Sequence, residues 1–236
     1  PYPTGSGYPM MFLPPEVNEG GPDAILEALQ DPARRRDIAA YIDQEHDGIV
    51  GNDRAVLTHA PSEQNRRLEG RSISNAADER GVSPGELICA LLLEEKLTVG
   101  FLQAPPADLA AWEQTSRDAI ELLSRPDYMV GSDSISGHSR PHPRAYGTFP
   151  RILGRLLRMH PIMSLEAMVQ RMADNPARRF GLTDRGRIAE GFAADIVVFD
   201  AERIIDTATY DDPAQYPVGI PYVLVNGTIA VDAERC

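Results

Sequence analysis

Lysine is almost missing. Of the 23 basic residues only Lys96 is lysine and the other 22 are arginine, which reads as codon bias rather than chemistry. Basic charge as a whole is also short: against 35 acidic residues the formal net charge is −12, and the pI is about 4.8. A surface for nucleic acid or anionic membrane, each of which needs a basic face, is therefore not expected. No apolar run approaches the roughly 18 residues that a membrane span requires. Cysteine is scarce, and Cys89 and Cys236 cannot build a disulfide framework, which points to a reducing cytoplasm. The opening Pro1-Tyr2-Pro3-Thr4-Gly5 has neither an initiator Met nor the basic-then-apolar build of a signal peptide. A phosphate-cradling glycine loop, a Cys-x-x-Cys pair, a His-Glu-x-x-His helix and a nucleophile elbow are all lacking. What remains is ordinary globular composition, 42% hydrophobic and 25% charged over 236 residues, enough for one large domain or two small ones.

Local signals are clearer than global ones. Met10-Met11-Phe12-Leu13 before Pro14-Pro15 reads as a strand end running into an irregular loop. Helices are predicted over 23–30, then from Asp31-Pro32 to about Glu45, and over 72–80 with Gly81 as its stop. Ser83-Pro84-Gly85-Glu86 has the spacing of a capping box, and the apolar run 87–93 behind it predicts a buried helix with Cys89 as packing. Residues 55–58 and 97–102 read as strands, and 107–124 as a helix whose acids are a solvated face. Tyr128-Met129-Val130-Gly131-Ser132-Asp133 reads as a strand with an acid at its C-terminal tip. A loop over 134–149 follows, then helices at roughly 150–158 and 164–174. Ile196–Phe199 predicts a buried strand, and Asn226-Gly227 between β-branched runs predicts a type I′ hairpin.

The densest polar cluster is 133–144, Asp-Ser-Ile-Ser-Gly-His-Ser-Arg-Pro-His-Pro-Arg. An acid at the tip of a barrel strand is where general bases and metal ligands are placed. Asp133 equally suits a cap on the following turn. His138 and His142 are spaced for one face of a helix, but Pro141 and Pro143 forbid a helix there, so they are not expected to form a metal pair. Read from the residues alone, the chain is an α/β, enzyme-like protein with a polar loop beside a strand-end acid.

Longer blocks carry a resemblance. Tyr128–Asp133, Arg140-Pro141-His142-Pro143-Arg144 and Tyr146-Gly147-Thr148-Phe149-Pro150-Arg151 closely resemble the N-acyl-D-amino-acid deacylases of the metal-dependent amidohydrolase superfamily. Asn175–Leu182, Asp184–Ile188, Gly191–Asp200 and Val225-Asn226-Gly227 resemble that superfamily's passage from barrel to small β-domain. Pro1-Tyr2 with Gly5-Ser6 looks like the tail of the deacylases' Tyr-Pro-Tyr-x-x-Gly-Ser segment.

The resemblance implies the C-terminal part of a (β/α)8 TIM-type barrel with a helical insert, followed by strands of a small β-sandwich. Residues 1–12 would end a barrel strand, 13–95 form an insert or lid over the active site, 96–178 the last part of the barrel, and 179–236 the small β-domain. It also implies zinc, with the His-x-His pair and other ligands upstream of residue 1, so that this chain alone is not expected to be active. By the resemblance Asp133 touches the zinc and shuttles a proton from water to the leaving nitrogen. Arg144 grips the α-carboxylate of a small N-acyl amino acid substrate, and Ser6 assists it. Ser134-Ile135-Ser136-Gly137 departs from the Gly-Leu-Pro usual after that Asp and changes the pocket wall. The rival readings are a cyclic-amide hydrolase, which shares the Asp but needs no carboxylate clamp, and a non-catalytic scaffold.

Overall fold

The computed structural model describes residues 2, 4–104, 108–135 and 137–233. Its elements in chain order are β1 (Ser6–Gly7), α1 (Pro15–Asn18), α2 (Gly21–Gln30), α3 (Pro32–Glu45), α4 (Asp47–Val50), β2 (Ala55–His59), α5 (Ile73–Arg80), α6 (Pro84–Glu94) and β3 (Gly100–Gln103). Then follow α7 (Leu109–Ser124), α8 (Arg144–Arg151), α9 (Leu157–Met159), α10 (Leu165–Met172), α11 (Asp174–Arg179), β4 (Ile196–Val198), β5 (Tyr222–Val225) and β6 (Thr228–Asp232). The chain is α/β and divides into two compact units, Thr4–Pro105 with Ile135–His142, and Pro1–Pro3 with Pro106–Ser134 and Pro143–Cys236. Cys236 lies outside the described residues. Among the described residues no helix is long and apolar enough to cross a membrane.

In the first unit, local chemistry sets the helix starts. The Asp31 carboxylate accepts from the N–H groups of Ala33 and Arg34 and opens α3. Ser72 caps α5, which ends on Gly81 in the left-handed region at φ 68°. Ser83 and Glu86 form the reciprocal capping box of α6. The side chains of Leu29, Ile42, Leu57, Leu87, Ile88, Leu91 and Leu92 pack at essentially zero exposure. Each such burial contributes roughly 1.5–3 kcal/mol, so this cluster holds the unit together more than its short sheet does. Helices α3 and α6 close to backbone contact at Gly85, where a Cβ would stand 2.2 Å from the Ala39 carbonyl oxygen. The sheet is antiparallel in the order β1-β3-β2, with Ser6 opposite Leu102.

The second unit packs around Ile120, Ile152, Leu153, Leu156, Leu157, Met168 and Ile204. Its spine is one helical run, α8, a π-helical turn over Ile152–Leu156, and α9. Pro150 lies inside it, removing an N–H and crowding the preceding turn, and the ladder widens directly afterwards. Gly154 meets the 201–206 segment so closely that a Cβ would fall 2.0 Å from the Ile204 carbonyl oxygen. A second antiparallel sheet, β4-β5-β6, turns at Asn226 (φ 49°) and Gly227 (φ 79°), the two positive angles of the expected type I′ turn.

Five expectations need correction. Pro9–Phe12 is a 3-10 helix and not a strand end, because prolines at 9, 14 and 15 deny a ladder its N–H donors. The strand expected from residue 97 begins at Gly100, since Lys96 and Leu97 take left-handed angles at the end of α6. Residues 128–133 are not a strand: Val130 N–H goes to the Arg171 carbonyl, while the Asn175 side-chain amide takes the Pro126 and Tyr128 carbonyls. The loop expected through 149 is helical from Arg144 onward. Strand β4, expected to be buried, exposes Val197 at 54% and Val198 at 45%.

Candidate active site

Irregular backbone places the acid. Asp133 has φ 48°, in the left-handed region that Asp and Asn enter more readily than other L residues, and its side chain is 86% exposed. Arg144 is the first residue of α8 and only 13% exposed, with its Nη2 3.0 Å from Asp133 Oδ2. A cation at a helix N-terminus is opposed by the helix dipole, so this guanidinium is well served by an anion in front of it. Asp133 supplies that anion here, and being exposed it is exchangeable.

The two residues border a cleft of about 330 Å³ that is also lined by Tyr2, Leu123, Tyr128 and Thr148. The Thr148 hydroxyl donates to the Arg144 carbonyl, 2.7 Å away. The Tyr2 hydroxyl donates to Asp206 Oδ2 at 2.9 Å. Burial, and then the Asp206 charge beside it, push the Tyr2 phenol well above its ordinary range, so it stays protonated and acts as a donor only. Asp206 is sealed among Tyr2, Arg151 and Arg155. Burial alone would raise its carboxyl, but the Arg155 and Arg151 guanidiniums outweigh that and hold it below the usual range.

Of the residues expected from the sequence, Asp133 and Arg144 are brought together. Ser6 belongs to the other unit, where it lies on β1 and is half-buried. In that unit His142 is buried, with its Nε2 2.9 Å from the Thr4 hydroxyl. His138 stacks on His59. Asp206 was not expected, and its only trace in the sequence is the spacing of Arg151 and Arg155 along one helix face. Among the described residues no group of three or more His, Cys, Asp or Glu gathers that could hold a metal ion.

The chain belongs to the amidohydrolase family, whose profile matches residues 12–231. Among curated proteins, an N-acyl-D-glutamate deacylase of Alcaligenes xylosoxydans xylosoxydans is 52% identical over 122 residues, 52% of this chain and 25% of the relative. A D-aminoacylase of the same organism is 37% identical over 160 residues, 68% of this chain and 30% of the relative. Among solved structures, the N-acyl-D-glutamate deacylase of Bordetella bronchiseptica, complexed with zinc and a phosphonate inhibitor mimicking the tetrahedral intermediate, superposes with a TM-score of 0.66 at 29% identity. That match covers all of this chain and 41% of the other. The matches thus span between a quarter and two fifths of the length of these relatives.

Proposed function

We propose that this chain is the proton-transferring and carboxylate-reading portion of a cytoplasmic, zinc-dependent amidohydrolase. The reaction is hydrolysis of the amide bond of an N-acyl-D-amino acid, giving a carboxylate and a free D-amino acid. The observation that carries this reading is the Asp133–Arg144 pair at the edge of the cleft. The substrate is a small molecule. The net charge of −12 does not favour nucleic acid or an anionic membrane as partner. In the same reading residues 1–12 end a barrel strand, 13–95 are an insert, 96–178 the last part of a (β/α)8 barrel, and 179–236 most of a small β-sandwich.

For zinc, Asp133 offers an exposed carboxylate oxygen, a fitting ligand. Among the described residues no group of three or more His, Cys, Asp or Glu completes a site around it, and in this reading the other ligands lie upstream of residue 1. When bound, zinc lowers the pKa of water and polarises the amide carbonyl. Asp133 accepts the proton that water loses on attack and returns it to the leaving nitrogen, which departs as an amine. Arg144 binds the α-carboxylate through its planar fork, and Ser6 keeps its expected role as a donor to a substrate carboxylate. Tyr2 forms a wall that stays neutral.

The test is a matched set of N-acetyl-D-amino acids and their carboxamides, assayed on the zinc-loaded full-length enzyme that contains this chain, with Arg144→Lys and Arg144→Ala. Lysine keeps the charge and loses the fork. Removing one partner of a buried charge pair costs about 2–5 kcal/mol, roughly 30-fold or more in kcat/KM. The loss is expected on the acids, larger for alanine, and to vanish largely on the amides. Equal loss on acids and amides would leave Arg144 as a loop prop and favour a cyclic-amide substrate.

A further inference from the structure

Asp206 is a buried acid that the proposed reaction does not use. Its side chain is 1% exposed, and it accepts from the Tyr2 hydroxyl at 2.9 Å, Arg151 Nη1 at 2.9 Å and Arg155 Nε at 2.5 Å. The Arg151 guanidinium carbon also lies 4.6 Å from the centre of the Tyr2 ring and 5.4 Å from that of Trp112, distances at which a cation is attracted to an aromatic face. Tyr2, Arg151 and Asp206 therefore close a triangle: the ring carries the cation, the cation pairs with the acid, and the acid takes the ring's hydroxyl.

Helix α8 is built to receive that triangle. Arg144, Gly147 and Arg151 recur at i, i+3 and i+7, which places them along one stripe of the helix. Any Cβ at position 147 would sit 2.1 Å from the Tyr2 hydroxyl oxygen and 3.1 Å from Asp206 Cβ. Glycine there is what allows the phenol to cross the helix and reach the acid. The same Tyr2 lines the cleft beside Arg144 and Asp133.

We infer that Tyr2 is a specificity-determining wall residue. Asp206 and Arg151 are positioning residues that fix its ring beside Arg144, so that an amino-acid carboxylate meets the guanidinium in one orientation. The inference rests on the deacylase reading above. Asp206 and Arg151 touch no substrate and act only through Tyr2.

Trp112 is the single tryptophan of the chain and leans on Arg151, so its fluorescence reports on the brace without turnover. Titrating the protein with an N-acetyl-D-amino acid should change Trp112 emission saturably, and Arg144→Ala should abolish the change. Tyr2→Phe keeps the ring and its stacking but removes the hydroxyl, and should weaken the apparent affinity about tenfold. Gly147→Ala, which drives a methyl into the hydroxyl's place, should weaken it at least as much. In the zinc-loaded full-length enzyme that contains this chain, Tyr2→Phe should raise KM for the acid substrates more than it lowers kcat, and the loss on acids should exceed that on amides about tenfold. Equal effects of Tyr2→Phe on acids and amides, with Arg144→Ala still selective for acids, would overturn the positioning role and leave the deacylase reading standing. Loss of selectivity in neither variant would overturn both. Asp206→Asn is read only if circular dichroism shows it folded. Tyr2→Phe, which leaves both guanidiniums paired with the acid, decides the matter in either case.

Discussion

The imidazole rings of His59 and His138 lie parallel, within 5° and with centres 5.2 Å apart. The edge of the Tyr8 ring meets His138 from another side, and His138 Nδ1 is 3.4 Å from the Thr58 hydroxyl. Gly100 makes room, since a Cβ there would fall 2.3 Å from His138 Cε1. Burial first, and then the neighbouring His59, push the His138 imidazole below its ordinary pKa, against a smaller opposing pull from Glu69. The fold therefore holds His138 neutral. The unfolded chain binds that proton near pH 6.5, so the contribution is complete above 6.5 and is lost as pH falls below it. Thermal unfolding at pH 7.5 and 5.5 should show a drop for the natural chain that is smaller in His138→Asn. Identical pH slopes for the two chains would contradict this.

Asp133 is exposed and already left-handed, a conformation that asparagine also accepts. Asp133→Asn should therefore change stability by no more than about 0.5 kcal/mol while abolishing turnover, because a carboxamide takes no proton from water. Urea unfolding of the chain, and kcat on one substrate for the zinc-loaded full-length enzyme that contains it, check both halves. Near-normal kcat in this variant would exclude Asp133 as the base.

Gly85 is the contact point of α3 and α6, and what it meets is the backbone carbonyl of Ala39 at position i of a neighbouring helix, which cannot rotate aside. Gly85→Ala should separate the helices and cost about 1–3 kcal/mol despite the better helix propensity of alanine. A lower urea midpoint at unchanged m is the expected result. A stabilised variant would mean that the helices slide apart freely.

Cys89 is buried on α6, and burial pushes its thiol up to about 12. Only the thiolate reacts at a useful rate. Iodoacetamide at pH 8 should leave Cys89 unmodified in the folded chain and label it in denaturant, as peptide mass spectrometry would show. Labelling of Cys89 under native conditions would place it in a cooperative unit that opens readily.

Caps and turns were legible because their chemistry is local. Asp31 and Ser83 each cap the helix that the sequence placed just beyond them, and Asn226-Gly227 carries its turn type in two residues. Residues 128–133 were misread because β-like composition makes a strand only where a partner strand is at hand, and here a side-chain amide and a helix carbonyl take its backbone groups. Likewise, apolar composition predicted a buried β4 but cannot tell how much of a small sheet is covered. The pairing of Asp133 with Arg144 was within reach, both lying in one short segment whose resemblance to deacylases is close. Tyr2 and Asp206 lie 204 positions apart, and no local pattern announces a contact at that separation.

Arg144 and Arg155 stand on one unbroken helical run, about 16 Å apart along its axis at 1.5 Å per residue. Gly154 seats the far end of that run against the Ile204 backbone. The run thus behaves as a lever whose fulcrum is remote from the cleft. A side-chain change in the 201–206 segment would tilt the whole rod, not one residue of it, and so carry the guanidinium at its tip. The place of Arg144 is then set in part by residues that line no part of the cleft.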